Sequence, residues 1–331
     1  MKTSGLPRLC RIALSSVALF IGMASCSDSE TGPTTPPPNL FAAYSEPAWH
    51  PQSTSIYFSH TPLTNYYKDP ATGRYVYVFD ESLSGTWIVS SDGTGQRRVL
   101  SSSLHEPHWS RAGTRIAYSR QATVYARTGD SLSLDTLNEV ALTEPGLRAF
   151  APSWSPDGNQ VAFSVHTGSP GLYVVPASGG PSRAVGASGW QHPDWSPDNK
   201  EFVFVNQEST GTWIGVADTS GANSQMIWGS TTASASYPRW SPNGDRIAFT
   251  GRASNAGKTE LWIMGSDGAN ARAMTSSGVL EYFSWSPNGE EVAYVRFDRG
   301  DVTLANGTIW ILNTVSGSVR QVTTNTPAMG P

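Results

Sequence analysis

The sequence predicts an all-β protein, a six-bladed β-propeller with four antiparallel strands per blade, on three observations. A stretch close to Pro-x-Trp-Ser-Pro-Asp-Gly, followed by a short apolar run, recurs six times. A second strand-turn-strand stretch follows most copies at a similar offset, and no segment of the mature chain has a helix-period apolar pattern. The repeated tryptophans are Trp49, Trp109, Trp154, Trp195, Trp240 and Trp285, spaced by 60, 45, 41, 45 and 45 residues. A period of about 40–50 residues made only of short strands and turns is the pattern of propeller blades. One blade has two apolar faces and can bury neither alone, so blades stack around an axis.

Along the chain, residues 1–25 come first, with a basic start and an apolar stretch at 12–24. That stretch is too short to span a bilayer and fits a secretory signal. Met23-Ala24-Ser25-Cys26 resembles a bacterial lipobox, so Cys26 is the expected lipidation site and mature N-terminus. Residues 26–43 are rich in Ser, Thr and Pro, cannot bury a core and read as a flexible tether. The propeller is expected over 44–331. Cys10 and Cys26 are the only cysteines, so the lipidated chain has no pair for a disulfide and its stability rests on packing. Loss of Lys2, Arg8 and Arg11 with the signal leaves 19 basic against 26 acidic residues. Nucleic acid and anionic lipid are poor partners for such a surface, so the membrane is reached through the lipid anchor only. The expected form is a monomer at the cell envelope, with the outer membrane favoured because Ser27 rather than aspartate follows Cys26.

Within a blade, Ser155, Pro156, Asp157 and Gly158 suit a type I turn, with Pro presetting φ at the second corner and Gly closing the fourth. Each motif tryptophan is expected between neighbouring blades, its gross burial worth at most about 4–6 kcal/mol. Third strands centre on Trp87, Tyr173, Trp213, Trp262 and Trp310. The second copy lacks the Asp-Gly or Ser-Gly turn, and its last two strands are placed at 123–127 and 138–142. The first strand is innermost in blade one and the last is outermost in blade six, so the ring is expected to close by packing, with no exchanged strand.

The paired stretches, such as "PRWSPNGDRIAF" with "ELWIMGSDGANARAMT", closely resemble the propeller repeats of TolB and of the prolyl oligopeptidase and dipeptidyl peptidase families. The resemblance covers residues 44–323, recurs six times and implies six blades. TolB carries an α/β domain ahead of its propeller, whereas only the signal and tether precede Tyr44, so functions of that domain are not expected here.

Chemistry is sparse. No Gly-x-Ser-x-Gly occurs and the chain ends just after the last strand, which leaves no room for a peptidase domain. The histidines show no zinc spacing, and His50 and His108 fall inside the blade motif, where a hydrogen-bonded structural role is expected. Topology supplies the remaining signal. Long connections at 60–84, 251–258 and 297–306 share a face with the starts of the first strands, and the tight turns lie opposite. Loops on a rigid scaffold commonly carry function. Glu46, Glu106, Ala151, His192, Tyr237 and Tyr282 precede the motif and are expected to ring the channel mouth on the loop face.

Trp190 and Trp228 have no architectural role, and Trp190, two residues from His192, suits stacking on a sugar or gripping a peptide, or else plugs the channel or packs under a loop. The candidate binding set is therefore Trp190, His192, Tyr237, Tyr282, Glu46 and Glu106, with no catalytic residue and no cofactor beyond a divalent cation at the two glutamates. The expected function is a non-catalytic module or scaffold that binds an envelope protein or glycan, with residues 60–84 available as a docking arm. The alternative resembles the oligogalacturonate lyases, with a channel metal held by His105, Glu106 and His192. A channel open enough for a sugar favours that enzyme, and a plugged one the binding module.

Overall fold

The computed structural model describes residues 43–73, 75–129, 134–254, 257–276, 279–297 and 307–323. Residues 1–42, which hold the expected signal, Cys26 and nearly all of the expected tether, and residues 298–306 of the 297–306 connection lie outside the described residues. Blade 1 holds β1 (Ala43–Trp49) and β2 (Ser55–Thr61), then an inserted hairpin of β3 (Leu63–Lys68) and β4 (Tyr75–Phe79), then β5 (Gly85–Ser90) and β6 (Arg97–Leu100). Blade 2 is β7 (His105–Trp109), β8 (Arg115–Arg120), β9 (Thr123–Gly129) and β10 (Leu134–Ala141). Blade 3 is β11 (Ala149–Trp154), β12 (Gln160–Val165), β13 (Gly171–Pro176) and β14 (Arg183–Val185). Blade 4 is β15 (Trp190–Trp195), β16 (Glu201–Glu208), β17 (Gly211–Asp218) and β18 (Ser224–Ser230). Blade 5 is β19 (Ser234–Trp240), β20 (Arg246–Arg252), β21 (Glu260–Gly265) and β22 (Arg272–Ala273). Blade 6 is β23 (Val279–Trp285), β24 (Glu291–Phe297), β25 (Gly307–Asn313) and β26 (Val319–Gln321). Every blade is a four-stranded antiparallel sheet in simple up-and-down order, as the repeat predicted.

The 60–84 connection, expected as a loop, contains the hairpin β3–β4, which forms its own two-stranded sheet. The Tyr-Val-Tyr-Val-Phe run of β4, rich in aromatic and β-branched residues, is a strand pattern that lies outside the repeated blade motif.

The repeated turn is held by its serine. Ser155, Ser196, Ser241 and Ser286 each accept from the backbone N–H five residues on, at 2.9–3.0 Å; Ser155, Ser196 and Ser286 donate to the Asp or Asn of the turn, and Ser241 donates to Asp245 just past it. Gly158 closes the turn at φ 71°, a left-handed conformation that glycine adopts without strain. In blade 1 His50 replaces the serine and bonds instead to the Gly113 carbonyl at 3.0 Å, a structural role as expected.

Packing explains why the middle strands read as apolar runs. β8 and β12 are buried at nearly every position because a neighbouring blade covers each of their faces. Six buried apolar clusters fill the six blade interfaces, and each holds one motif tryptophan. Trp154 joins Val161 and Phe163 to Val124 and Ala126 of blade 2. The ring closes in the same way: Tyr44, Trp49 and Phe58 pack on Ala293, Ile309, Ile311 and Val322 of blade 6, with no strand exchanged among the described residues.

A polar interlock supplements this packing around the axis. The side chain between Pro and Trp in one blade accepts the tryptophan backbone N–H of the next: His108 from Trp154 at 3.2 Å, Ser153 from Trp195 at 3.3 Å and Asp194 from Trp240 at 2.9 Å. Ser284 accepts from Trp49 at 2.9 Å and so links blade 6 to blade 1.

Candidate functional site

Each innermost strand carries a bulge at the residue before its motif, where two residues face one on the second strand. The bulge places Glu46, Glu106, Ala151, His192 and Tyr237 in left-handed conformations, with φ of 50–56°. For residues with a side chain this costs about 1–3 kcal/mol each and persists only where the surroundings over-determine it. Here they do, because the strained residues bond from blade to blade. Glu46 accepts from the Glu106 N–H at 3.2 Å, Glu106 from the Ala151 N–H at 2.6 Å, and His192 Nδ1 from the Tyr237 N–H at 3.4 Å.

Glu46, Glu106, Tyr237 and Tyr282 thus come together around the axis and narrow the channel at its loop-face end. The Tyr237 hydroxyl reaches across the axis to donate to Glu106 at 3.0 Å and lies 3.2 Å from the Tyr282 hydroxyl. Glu106 also accepts from Ser119 at 2.8 Å. Glu46 is bonded by Ser59 at 3.3 Å and by the exposed His105 at 3.3 Å. Glu46, Glu106 and Tyr237 are buried. Burial pushes the Glu106 carboxyl up, against the bonds from Ala151 and Ser119, and the nearby Glu46 charge adds to the rise. The bond to Glu46 raises His105. His192 stacks on the Tyr237 ring at 4.0 Å, and burial, helped by His166 and Arg239, pushes its imidazole down to about 3. It is neutral and accepts through Nδ1.

Two expectations are corrected by this geometry. Trp190 is not at the mouth as a free platform: it is buried, stacked on Phe204 at 3.8 Å, and fills the space over Gly186, where a Cβ would come within 2.1 Å of its ring. A surplus tryptophan read from a motif count was an interface residue of blades 3 and 4. His105, Glu106 and His192 do not converge as a ligand set. His105 turns to Glu46 and His192 to Tyr237, and no group of three His, Cys, Asp or Glu among the described residues could hold a metal ion.

Glu46, Glu106, Tyr237 and Tyr282 line a cavity of about 150 Å³, whose further polar lining includes His108, Asp194 and Arg239. Asp194 lies 3.2 Å from His108 and 3.5 Å from Arg239, and Ser153 donates to it at 2.8 Å. Burial works to raise Asp194, but the His108 bond and the Arg239 charge overcome it and hold the carboxyl below its usual range. Sequence reasoning missed this cluster. The signal was present: the position between Pro and Trp is polar in five of the six copies, although it lies within an apolar motif.

A six-bladed ring of simple four-stranded sheets, interlocked at the axis and without an exchanged strand among the described residues, defines the class of protein. The sequence matches the TolB beta propeller domain over residues 71–306, and the chain belongs to that family. TolB from Acinetobacter baumannii superposes with a TM-score of 0.59 at 18% identity, over 84% of this chain and 77% of its own. An oligogalacturonate lyase from Vibrio parahaemolyticus gives 0.53 at 10% identity, over 87% and 80%. A puromycin hydrolase gives 0.53 at 13%, over 85% of this chain and 54% of its own. At these identities the likeness is one of fold, and a fold shared by such different proteins does not select a function.

Proposed function

We propose that the protein is a non-catalytic binding module of the bacterial cell envelope, lipid-anchored through Cys26 and facing a protein or glycan partner with its loop face. The observation that carries this reading is the narrow channel. The bonds of Tyr237 to Glu106 and Tyr282 cross its loop-face end, and the cavity there is about 150 Å³. Sites for small molecules usually occupy about 300–1,000 Å³. A channel of that size has no room for an oligosaccharide at its polar wall, which weighs against the lyase-like alternative. Tyr282, His105 and the β3–β4 hairpin are the features offered to a partner on that face. Among the described residues no helix is long and apolar enough to cross a membrane, and the anchor assigned to Cys26 supplies the attachment.

The test is affinity purification of the intact lipoprotein from its own envelope, then direct binding of the recovered partner to the purified propeller. Cys26→Ala should abolish partitioning into detergent, and Tyr282→Ala should weaken partner binding at an unchanged melting midpoint. Turnover of an oligosaccharide by the purified protein with added divalent metal would overturn the reading, and a mature N-terminus elsewhere than Cys26 would remove the anchor.

A further inference from the structure

The corner residue of the repeated turn is proline in five copies, Pro51, Pro156, Pro197, Pro242 and Pro287, but arginine in blade 2. Turn chemistry does not account for Arg111, since proline is the better residue at that corner. Its exposed side chain crosses the turn-face end of the channel to blade 4, where Nη1 donates to the Pro197 carbonyl at 2.9 Å, while Gln52 holds its own carbonyl at 2.9 Å. Arg111 forms no ion pair among the described residues.

Arg111 lines two hollows that also share Pro242 and Asn243. One, of about 600 Å³, is acidic, with Asp198, Glu201 and Asp267 in its wall. The other, of about 470 Å³, is walled by Trp49, Pro51, Trp285 and Pro287 among others, and Arg111 is its one charged residue. That volume is in the range of small-molecule sites, and its wall sets two tryptophans and three prolines beside Gln52, Asn243, Ser286, Asn288 and, among the described residues, a single cation, a mix of apolar surface and a few polar groups that such sites share.

We propose that this second hollow is a binding site for a small carboxylate carried on an apolar body, with Arg111 as the residue that recognises it. In the free protein the guanidinium makes one bond to a neutral carbonyl. A carboxylate offers a charge-assisted, two-pronged partner in its place. One guanidinium balances one carboxylate, whereas the near-double charge of a phosphate would face the acidic hollow next door. The carboxylate could belong to a free organic acid or to the C-terminus of a short peptide. The site lies on the face opposite the proposed partner surface and goes beyond that reading.

The experiment titrates the full chain calorimetrically with 3-phenylpropionate, its amide, inorganic phosphate, and an Ala-Ala-Phe tripeptide with free or amidated C-terminus. Wild type should bind the carboxylate probes at least tenfold more tightly than their amides or phosphate. Arg111→Gln and Arg111→Pro should each lose at least tenfold, with the proline variant melting no lower than wild type because it restores the common turn. Tighter binding of the free tripeptide than of phenylpropionate would assign the ligand to peptide termini, and the reverse to free acids. Absence of carboxylate binding, equal binding of acid and amide by wild type, or binding untouched in both variants would overturn the proposal. The acid-against-amide comparison needs no variant and stands whether or not partner capture is found.

Discussion

The two ends of the channel occupy equivalent places in a sixfold repeat and are built on opposite principles. At the loop-face end, residues that differ from blade to blade sit in strained bulges, are buried, and are bonded to one another across the axis. At the turn-face end, closely similar turns are each held by their own serine, bonds such as His50 to the Gly113 carbonyl and Asn199 to Asp157 join adjacent blades, and Arg111 reaches past a neighbour to blade 4. Repetition stabilises where each blade can meet its own needs. Individuality concentrates where six chain segments converge on one axis and must satisfy one another.

That contrast predicts a ranking of substitutions. The repeated frame between the ends should be the most sensitive, and Trp154→Ala should cost about 3–5 kcal/mol in chemical denaturation, as large aromatic truncations in cores do. Glu106→Ala should follow. It strips the buried Tyr237 hydroxyl, Ser119 and the Ala151 N–H of their acceptor, at about 2–3 kcal/mol. A cost below that of an exposed turn substitution would mean that water replaces the carboxylate at the loop-face end.

Two titrations sharpen the comparison, because the buried groups of the loop-face end are shifted toward their neutral forms, against the direction of the turn-face carboxylates, such as Asp157, which the turn bonds hold below their usual range. Glu106 has a raised carboxyl in the folded state, so the unfolded chain ionises first. Wild-type stability should therefore fall relative to Glu106→Gln as pH rises from about 4.3, the unperturbed glutamate value, through the folded value, and then level off. His192 has the opposite sign. Its imidazole is held at about 3 against about 6.5 when unfolded, so it drains stability as pH falls through that window. His192→Asn, which keeps an acceptor for the Tyr237 N–H, should flatten this acid limb in thermal melts taken from pH 7 to pH 4. Parallel curves for variant and wild type would reject either assignment.

The smallest effect is expected at the turn. Asp157→Ala removes the acceptor of Ser155 Oγ at 2.6 Å and of the Asn159 N–H at 3.0 Å on the surface, and should cost about 0.5–1.5 kcal/mol. Partner capture should be unchanged. If capture is lost there and kept in Tyr282→Ala, the partner surface is on the turn face.

How legible this molecule was follows the same division. Blade number, strand order, turn type and the interface position of each motif tryptophan could be read because each is set by residues within a few positions of one another and is then repeated, so that six copies average out the exceptions. The axial ring was also legible as a set, since a fixed offset from the motif puts Glu46, Glu106, His192, Tyr237 and Tyr282 at one level. Their state was not. That Tyr237 donates to a glutamate 131 residues away, that Trp190 turns into the core, and that His108, Asp194 and Arg239 meet in one wall depend on which blades the ring brings face to face. Arg111 shows the limit most plainly. The sequence marks it as a missing proline, and only the closed ring brings blade 4 within reach of its guanidinium. Local chemistry determined the blades, and closure, which places residues distant in the chain a few ångströms apart in a low-dielectric axis, decided what the channel is.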